Sequence, residues 1–478
     1  MQDVLRISKL NEVHIRIDCE PHIGQELSQH FTFEVPGARF MPAVRNKMWD
    51  GKIRLFNQMT KTIYGGLEWY VQKFAKERGY EVEYEYDNSL DEYSLHEAKQ
   101  YIEELNLPHT PRDYQIEAFA HIMRYRRGLL LSPTASGKSL IIYMIAKMME
   151  RVLIIVPTTS LVLQMRSDFA EYGSKDTQII MAGESKDVVA HTTISTWQSI
   201  YKMPRAWFDQ FDCVIGDEAH LFKSKSLSNI MEKFVNCKYR IGTTGTLDNT
   251  QTHKLVLEGL FGPVKKVVTT KELIDQKHLA DFKIKCILLQ YEDETKKIHS
   301  QDTYQDEIDF LVGNEKRNSF IKNLTLSLDG NTLLLFQYVE KHGKGLYNDI
   351  RAQLPDRKVF FVYGGTDSEL RDQIRGIVEK ESDAIIIASF GTFSTGINIR
   401  NLHNIIFASP SKSRIRNLQS IGRGLRKGEN KSIATLFDIA DDLKWNRKYN
   451  HTLKHFAVRL KMYEEEQFQY KIYKVKLQ

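Results

Sequence analysis

Short apolar runs alternate with amphipathic stretches over residues 106–262, and each run is followed by small or polar residues. This alternation is typical of a parallel sheet with helices on both of its faces. Ligands of such sheets bind outside the carboxyl ends of the strands, so the residues after each run are the first candidates for a functional site. The predicted strands are 129–131, 152–156, 178–181, 192–195, 213–216 and 239–243.

A second alternation of the same kind occupies residues 291–440. Its predicted strands are 332–336, 359–363, 384–388, 404–407 and 433–437. Residues 263–290 lie between the two alternations and are predicted to be a connector. The pattern therefore predicts an α/β protein with two parallel-sheet lobes of similar build.

The two ends of the chain differ from the middle. Residues 1–105 predict a small α/β domain with strands at 13–17 and 31–33 and a helix at 67–78, followed by an acidic linker helix or spacer at 81–104. Residues 441–478 predict a helical extension, because apolar residues recur there at helical spacing. The basic residues of this extension, Arg459 among them, are expected to face solvent or a phosphate backbone.

Composition narrows the class of protein. A chain of 478 residues with 42% hydrophobic and 27% charged residues is expected to fold into several globular domains. Its four cysteines match no metal-ligand spacing, and no secretory leader or membrane-spanning run is visible. These features favour a cytoplasmic protein with reduced thiols. The net charge of +6 permits a polyanionic partner.

A phosphate-binding loop is predicted where the first strand of the first lobe ends. A turn of small residues there precedes an apolar helix, whose free N–H groups and positive dipole end attract anions. Lys138 is expected to reach the β- and γ-phosphates, and Ser139 is expected to hold Mg²⁺. Ser132 stands where the usual pattern begins with glycine, so an ordinary strand-to-helix turn is the alternative. The loop residues are Pro133, Thr134, Ala135, Ser136, Gly137, Lys138 and Ser139.

Two carboxylates follow the predicted strand 213–216. We assign Asp217 to magnesium, usually through water, and Glu218 to the general base that activates the attacking water. The alternative is a pair of acids that only begin a helix. Upstream of the loop, the amide of Gln115, beside Arg112, can donate to and accept from one adenine edge.

Two further groups of residues have charge patterns that suit phosphate. Gln419, Arg423 and Arg426 share one helix face and resemble an arginine-finger arrangement, with a solvated basic face as the alternative. Arg45, Lys52 and Arg54 belong to a basic stretch, 39–54, that also contains aromatic residues. Basic side chains beside rings suit a nucleic-acid surface, although a solvated basic edge over a core explains the same pattern.

The order of these segments resembles that of superfamily 2 helicases, and the Asp217-Glu218-Ala219-His220 sequence resembles their DEAH box. The resemblance implies two RecA-like lobes with ATP and Mg²⁺ bound between them. It assigns Thr244, Thr246 and His220 to coupling of hydrolysis with movement. The residues it assigns to nucleic acid are Pro157, Thr158, Thr159, Thr196, Trp197, Gln198 and Thr395.

Residues 16–20, 49–55 and 393–397 look similar to the recombination and replication-fork helicases of phages. This resemblance implies ATP-driven unwinding and branch migration of forks, D-loops, R-loops and Holliday junctions by a monomer in the host cytoplasm. RNA–DNA hybrids and a single-strand-binding protein are further candidate partners. An ATP-switched clamp or annealing protein keeps every motif and stays an alternative, as does an RNA–DNA hybrid helicase. A P-loop kinase or GTPase would need neither the second lobe nor its arginine helix.

Overall fold

The computed structural model describes residues 3–247, 250–396, 399, 401–409, 411, 413–424 and 433–477. They form two compact units, one of residues 3–132 and 137–268 and the other of residues 133–136 and 269–477. Within these described ranges no helix is long and apolar enough to cross a membrane.

The first unit begins with a small mixed sheet of strand order β5-β2-β1-β6 and a separate hairpin of β3 and β4. Alternate residues of β1 and β2, such as Leu5, Ile7 and Ile15, are buried, so one face of this sheet is apolar. The strands are β1 (Val4–Lys9), β2 (His14–Asp18), β3 (Thr32–Glu34), β4 (Lys52–Arg54), β5 (Thr62–Tyr64) and β6 (Glu81–Tyr84). The helices are α1 (Pro21–His30), α2 (Pro42–Arg45), α3 (Glu68–Arg78) and α4 (Leu95–Glu104).

A seven-stranded parallel sheet of order β13-β7-β12-β11-β8-β10-β9 forms the rest of the first unit. All six strands predicted between residues 106 and 262 are present. The strands are β7 (Arg127–Leu131), β8 (Val152–Val156), β9 (Thr177–Ile180), β10 (Thr192–Thr196), β11 (Cys213–Asp217), β12 (Tyr239–Thr244) and β13 (Val264–Lys266). The helices are α5 (Asp113–Tyr125), α6 (Lys138–Met148), α7 (Thr159–Glu171), α8 (Trp197–Ile200), α9 (Arg205–Phe208), α10 (Lys225–Glu232) and α11 (Gln251–Phe261).

The small sheet and one face of the large sheet share a single hydrophobic core. Leu5 and Phe74 of the N-terminal part belong to the same buried cluster as Leu153 and Phe261. The two parts also touch through their backbones, because a Cβ on Gly66 would lie 2.0 Å from the carbonyl oxygen of Glu258. The N-terminal domain is therefore fixed to the first lobe.

The second unit contains another seven-stranded parallel sheet, of order β16-β17-β15-β18-β19-β14-β20. The strands are β14 (Asp281–Gln290), β15 (Thr332–Phe336), β16 (Val359–Val362), β17 (Ile385–Ser389), β18 (Asn404–Phe407), β19 (Ile433–Asp442) and β20 (Tyr470–Lys476). The helices are α12 (Thr270–Asp275), α13 (Asp293–Ile298), α14 (Tyr304–Gly313), α15 (Glu315–Leu326), α16 (Lys344–Gln353), α17 (Ser368–Lys380), α18 (Phe390–Gly396), α19 (Arg414–Gly424) and α20 (His451–Glu465).

Three segments differ from the sequence-based prediction. The predicted connector 263–290 contains β13, α12 and β14, so part of it belongs to the two large sheets. Part of the acidic segment 81–104 is β6, which pairs in parallel with β1. The tail 441–478 is not purely helical, because β20 pairs with β14 at the edge of the second sheet. Their strand partners lie far away in sequence, and local periodicity does not report such pairing.

Arg459 in the tail is also buried, which corrects the expectation that it faces solvent or phosphate. Its Nε donates to Asp438 Oδ2 at 2.9 Å, and its Nη1 donates to the carbonyl of Ser411 at 3.0 Å. The hydroxyl of Tyr463, one turn further on, donates to the same carboxylate at 2.8 Å. Helix α20 is thus attached to β19 by a buried ion pair as well as by apolar contacts.

We expect Arg459→Met to lower the free energy of unfolding by about 3–5 kcal/mol, because it leaves the Asp438 carboxylate buried without its cation. Lys461→Met, at an exposed position of the same helix, should change it by less than about 0.5 kcal/mol. Urea denaturation of both variants measures the difference. Equal effects of the two substitutions would show that the buried pair does not stabilise the tail.

Candidate nucleotide site

The strand order of the first sheet brings the predicted catalytic segments together. Strands β7, β12 and β11 are neighbours, and all three are parallel. Their carboxyl ends therefore lie at one edge of the sheet. The phosphate loop follows β7, Asp217 is the last residue of β11, and Thr244 is the last residue of β12.

The loop has a backbone shape that suits an anion. Ala135 and Gly137 have left-handed backbones, with φ of 66° and 76°. The hydroxyl of Ser136 donates to the carbonyl of Pro133 at 2.6 Å, which closes the turn. Helix α6 then begins at Lys138, so its first N–H groups and positive dipole end lie at the loop. This arrangement can bind a phosphate group.

Gln115 supports the loop from α5. Its Oε1 accepts from the backbone N–H of Arg112 at 2.8 Å, and its Nε2 lies 3.4 Å from the carbonyl oxygen of Gly137. Gln115 is only 3% exposed, and a Cβ on Gly137 would lie 2.3 Å from its Nε2. Arg112 directs its guanidinium to the hydroxyl of Tyr114 at 2.6 Å. The predicted base reader therefore also shapes the loop, which requires glycine at position 137.

The two acids after β11 occupy different environments. Asp217 is 6% exposed, and its Oδ1 accepts a hydrogen bond from the hydroxyl of Thr243 at 2.7 Å. Glu218 has a left-handed backbone with φ of 51°. Its Oε1 lies 3.5 Å from Nζ of Lys138, and its Oε2 lies 3.3 Å from Nδ1 of His220. The sheet thus places the cation of the loop against the predicted general base.

These environments shift the pKa values of the two carboxyls in opposite directions. Burial raises the pKa of Asp217, and Lys138 and the Thr243 hydrogen bond offset this only in part. Burial also opposes ionisation of Glu218. The charge of Lys138 and the adjacent imidazole of His220 outweigh this effect of burial and lower the pKa of Glu218 to about 2. Neighbouring titratable groups with separated pKa values are typical of sites that divide chemical roles.

The residues predicted to couple hydrolysis to movement form one chain of contacts. Nδ1 of His220 lies 3.0 Å from the hydroxyl of Thr244, which donates to the carbonyl of Thr246 at 3.0 Å. All three residues are buried. The chain runs from Glu218 to the end of β12, where the polypeptide continues towards α11.

Two residues of the site were not predicted. Thr243 binds Asp217 because the parallel register places these residues opposite each other, and its position beside Thr244 was the available signal. Tyr172 lies with its hydroxyl 3.0 Å from Oγ of Ser139. The local sequence around Tyr172 contains no motif that would have identified it.

The donor set fits Mg²⁺, since Ser139 and Asp217 offer hydroxyl and carboxylate oxygens, the ligands that this ion prefers. Among the described residues no cluster of three or more His, Cys, Asp or Glu side chains could hold a metal ion. Magnesium in nucleotide sites usually takes only one or two protein ligands and completes its shell with water and phosphate oxygens. The oxygens of Ser139 and Asp217 therefore suit a magnesium ion that binds together with a nucleotide.

The six residues of the first large sheet that are predicted to contact nucleic acid lie at the same sheet edge. Strands β8 and β10 are neighbours, so Pro157 and Thr158 lie close in sheet order to Thr196. Thr159 and Gln198 are exposed, and Trp197 is half-buried. Thr196 is buried, and its hydroxyl lies 3.0 Å from that of Ser199. The exposed members of the set therefore belong to the turns that open α7 and α8.

In the second unit the predicted residues lie in helices that follow strands of the large sheet. Helix α18, with Thr395, follows β17, and helix α19, with Gln419 and Arg423, follows β18. Strands β17 and β18 flank β15 in the sheet. Gln419 is half-buried. Arg426 lies outside the described residues.

The basic stretch 39–54 forms an exposed surface around the β3–β4 hairpin. Arg45 and Lys52 are exposed and make no ion pair with any described residue, whereas Arg54 pairs with Asp50. The Arg54 hydrogen bond lowers the pKa of Asp50 to about 2. Phe40 is 70% exposed beneath the guanidinium of Arg39, at 4.7 Å, whereas Phe56 is buried in the core. Two of the three predicted cations are thus unpaired.

Two RecA-like lobes with a phosphate loop and a DEAH sequence define the class of superfamily 2 helicases. Three family matches agree with this architecture. Residues 6–85 match "DNA helicase UvsW, N-terminal", residues 108–249 match "Type III restriction enzyme, res subunit", and residues 315–428 match "Helicase conserved C-terminal domain".

Individual relatives narrow the assignment. The chain is 36% identical over 489 residues to the ATP-dependent DNA helicase uvsW of Enterobacteria phage T4, covering 96% of each chain. It superimposes on the crystal structure of T4 UvsW with a TM-score of 0.52 and 34% identity, covering 99% of this chain and 100% of that one. It is 31% identical over 228 residues to the DNA 3'-5' translocase XPB2 of Sulfurisphaera tokodaii, covering 48% of this chain and 49% of that protein.

The chain belongs to the UvsW family of helicases. It is an enzyme that couples ATP hydrolysis to the unwinding of nucleic acid.

We expect Gly137→Ala to weaken ATP binding by more than about tenfold. The left-handed backbone costs an L-residue roughly 1–2 kcal/mol, and the added Cβ also meets Gln115. Gly79→Ala is the matched control, because Gly79 has a φ of 73° and open space around its Cβ position. Titration with a fluorescent ATP analogue, alongside urea denaturation, separates lost binding from lost stability. Equal nucleotide affinity of the two variants would contradict the role of Gln115 in shaping the loop.

Proposed function

We propose that the chain is a DNA motor whose ATP is bound and hydrolysed by the group of Lys138, Asp217 and Glu218. The observation that carries this proposal is the meeting of these three side chains at one edge of the first sheet, with Lys138 Nζ 3.5 Å from Glu218. Lys138 binds the phosphates, and Glu218 takes a proton from the attacking water. Because Lys138 helps to keep the pKa of Glu218 low, turning Lys138 towards phosphate makes Glu218 a stronger base.

Ser139 and Asp217 would hold Mg²⁺ in this mechanism, and Gln115 with Arg112 would hold the adenine. Bound magnesium supplies charge that stabilises the phosphoryl group during transfer. Further positive charge and hydrogen-bond donors for the negative charge on the phosphoryl group come, in this proposal, from Gln419, Arg423 and Arg426. Where arginines of this kind have been measured, they contribute roughly 10³–10⁵ in rate.

Hydrolysis is coupled to movement through His220, Thr244 and Thr246 in this proposal. The contacts that run from Glu218 through His220 to Thr244 support this coupling. The turns after β8 and β10, together with Thr395, grip the backbone of one strand. Contacts of this kind read the sugar-phosphate chain and not the base sequence.

We further propose that the preferred substrates are branched DNA molecules: forks, D-loops, R-loops and Holliday junctions. The relative that covers nearly the whole chain is named a DNA helicase of a phage, which supports DNA as the substrate and the host cytoplasm as the place of action. In this proposal residues 106–262 and 291–440 are the lobes of a monomeric motor. A single-strand-binding protein and RNA–DNA hybrids are further partners.

Residues 1–105 act, in the same proposal, as an accessory DNA-binding domain. The unpaired cations Arg45 and Lys52 and the exposed ring of Phe40 support this role. Because this domain shares a core with the first lobe, it can hold a second DNA arm at a fixed position while the motor moves along the first.

We expect Glu218→Gln to reduce DNA-stimulated ATP hydrolysis by roughly 10²–10⁴, the usual contribution of a general base. Binding of ATP should be retained, because the phosphate loop is untouched. Glu184→Gln removes an exposed carboxylate of the same lobe and should leave the rate unchanged. Phosphate release and equilibrium nucleotide binding measure the two properties. The motor assignment would be refuted if Glu218→Gln hydrolysed ATP as fast as the wild type. It would also be refuted if DNA did not stimulate ATP hydrolysis by the wild type.

We expect the double variant Arg45→Gln/Lys52→Gln to bind forks and four-way junctions less tightly, with a salt-dependence slope smaller by about 2, since each lost phosphate contact changes it by about 1. Its ATPase activity with single-stranded DNA should remain. Lys99→Gln/Lys147→Gln removes the same charge from exposed helix positions. Binding measured at several salt concentrations on single-stranded, duplex, forked, R-loop and four-way DNA gives the comparison. An unchanged slope, or no preference of the wild type for branched DNA, would refute the substrate assignment.

A further inference from the structure

Ser139 has a hydroxyl that must point in one direction to bind a metal. A hydroxyl oxygen that offers a lone pair to a cation has to send its proton to another acceptor. A serine in a helix can instead turn its hydroxyl to the carbonyl one turn back. The orientation of Ser139 therefore depends on a neighbouring group that holds its hydroxyl.

Tyr172 is placed to be that neighbour. Its phenol oxygen lies 3.0 Å from Oγ of Ser139, although the two residues are far apart in sequence. Tyr172 caps the carboxyl end of α7, where its backbone N–H donates to the carbonyls of Asp168 and Ala170. Tyr172 therefore approaches Ser139 from a different element, the end of α7.

Packing fixes the ring of Tyr172. It meets the ring of Tyr143 on α6 with 5.4 Å between centroids, and the edge of His109 at 6.3 Å. Tyr143 lies one turn after Ser139 on α6 and also packs against Phe169 of α7 at 5.1 Å. The phenol hydroxyl is thus held at a set position beside the first turn of α6.

We propose that Tyr172 is a positioning residue that orients the Ser139 hydroxyl for Mg²⁺ in the nucleotide site. This inference rests on the proposed function of Ser139 as a magnesium ligand. The phenol oxygen accepts the proton of Ser139, and the serine lone pair is left for the cation. Neighbours that orient metal ligands typically change metal affinity by about 10–100-fold when they are removed.

Tyr172→Phe in the full-length chain tests the proposal, because it keeps the ring and removes only the hydroxyl. We expect the Mg²⁺ concentration for half-maximal binding of a fluorescent ADP to rise about tenfold. Binding of the same nucleotide in EDTA should be unchanged, which also shows that the variant is folded. Tyr143→Phe removes a hydroxyl from the adjoining ring and should leave the Mg²⁺ dependence as in the wild type, because within the described part of the chain this hydroxyl makes no hydrogen bond to Ser139.

A double-mutant cycle with Ser139→Ala separates the proposed role of Ser139 as a magnesium ligand from the proposed role of Tyr172 in orienting it. If Tyr172 acts through Ser139, Tyr172→Phe should have no further effect once the serine hydroxyl is absent. An Mg²⁺ dependence that Ser139→Ala leaves unchanged would overturn the assignment of Ser139, and with it this inference. A large effect of Ser139→Ala with none of Tyr172→Phe, or additive effects of the two, would overturn the role of Tyr172 alone.

Discussion

The contact between Lys138 and Glu218 is the constraint on which the nucleotide site depends. The two side chains lie 3.5 Å apart and are largely enclosed by protein. Removing either charge would leave the other one poorly solvated and without a partner. The pair forms only because β7 and β11 end at one edge of the sheet with β12 as the single strand between them. A lysine already paired to a carboxylate can move to a phosphate at little electrostatic cost, since it exchanges one anion for another. The sheet thus sets both the position of Lys138 and the acidity of Glu218, the proposed general base.

The N-terminal domain is attached to this sheet more firmly than an accessory domain would need to be. Tyr70 donates to the carboxylate of Glu258 at 2.7 Å, and the same glutamate accepts from the backbone N–H of Val264 at 3.0 Å. Glu258 belongs to α11, the helix that follows the end of β12. The domain with the basic hairpin and the helix beyond Thr246 therefore share contacts, which gives a physical connection between the proposed DNA surface and the proposed coupling residues.

Helix α7 makes a second connection of this kind. Its N-cap is Thr158, whose hydroxyl accepts from the N–H of Leu161 at 3.4 Å, and its C-cap is Tyr172, which lies beside Ser139. Thirteen residues of helix span about 20 Å. Helix α7 thus connects the turn at Thr158, which is proposed to hold nucleic acid, with Tyr172. Tyr172 in turn contacts Ser139, the proposed magnesium ligand.

The sequence by itself determined the two alternations of strand and helix and the motifs that follow β7 and β11, because buried parallel strands are continuous apolar runs and glycine, lysine and acids mark the loops after them. It did not determine that β13 and β14, within residues 263–290, belong to the sheets, that β20 pairs with β14, or that Arg459 is buried against Asp438. Nor did it identify Thr243 and Tyr172 as partners of Asp217 and Ser139. Each of these depends on groups distant in the chain, and only the packing of the folded polypeptide decides which distant groups meet.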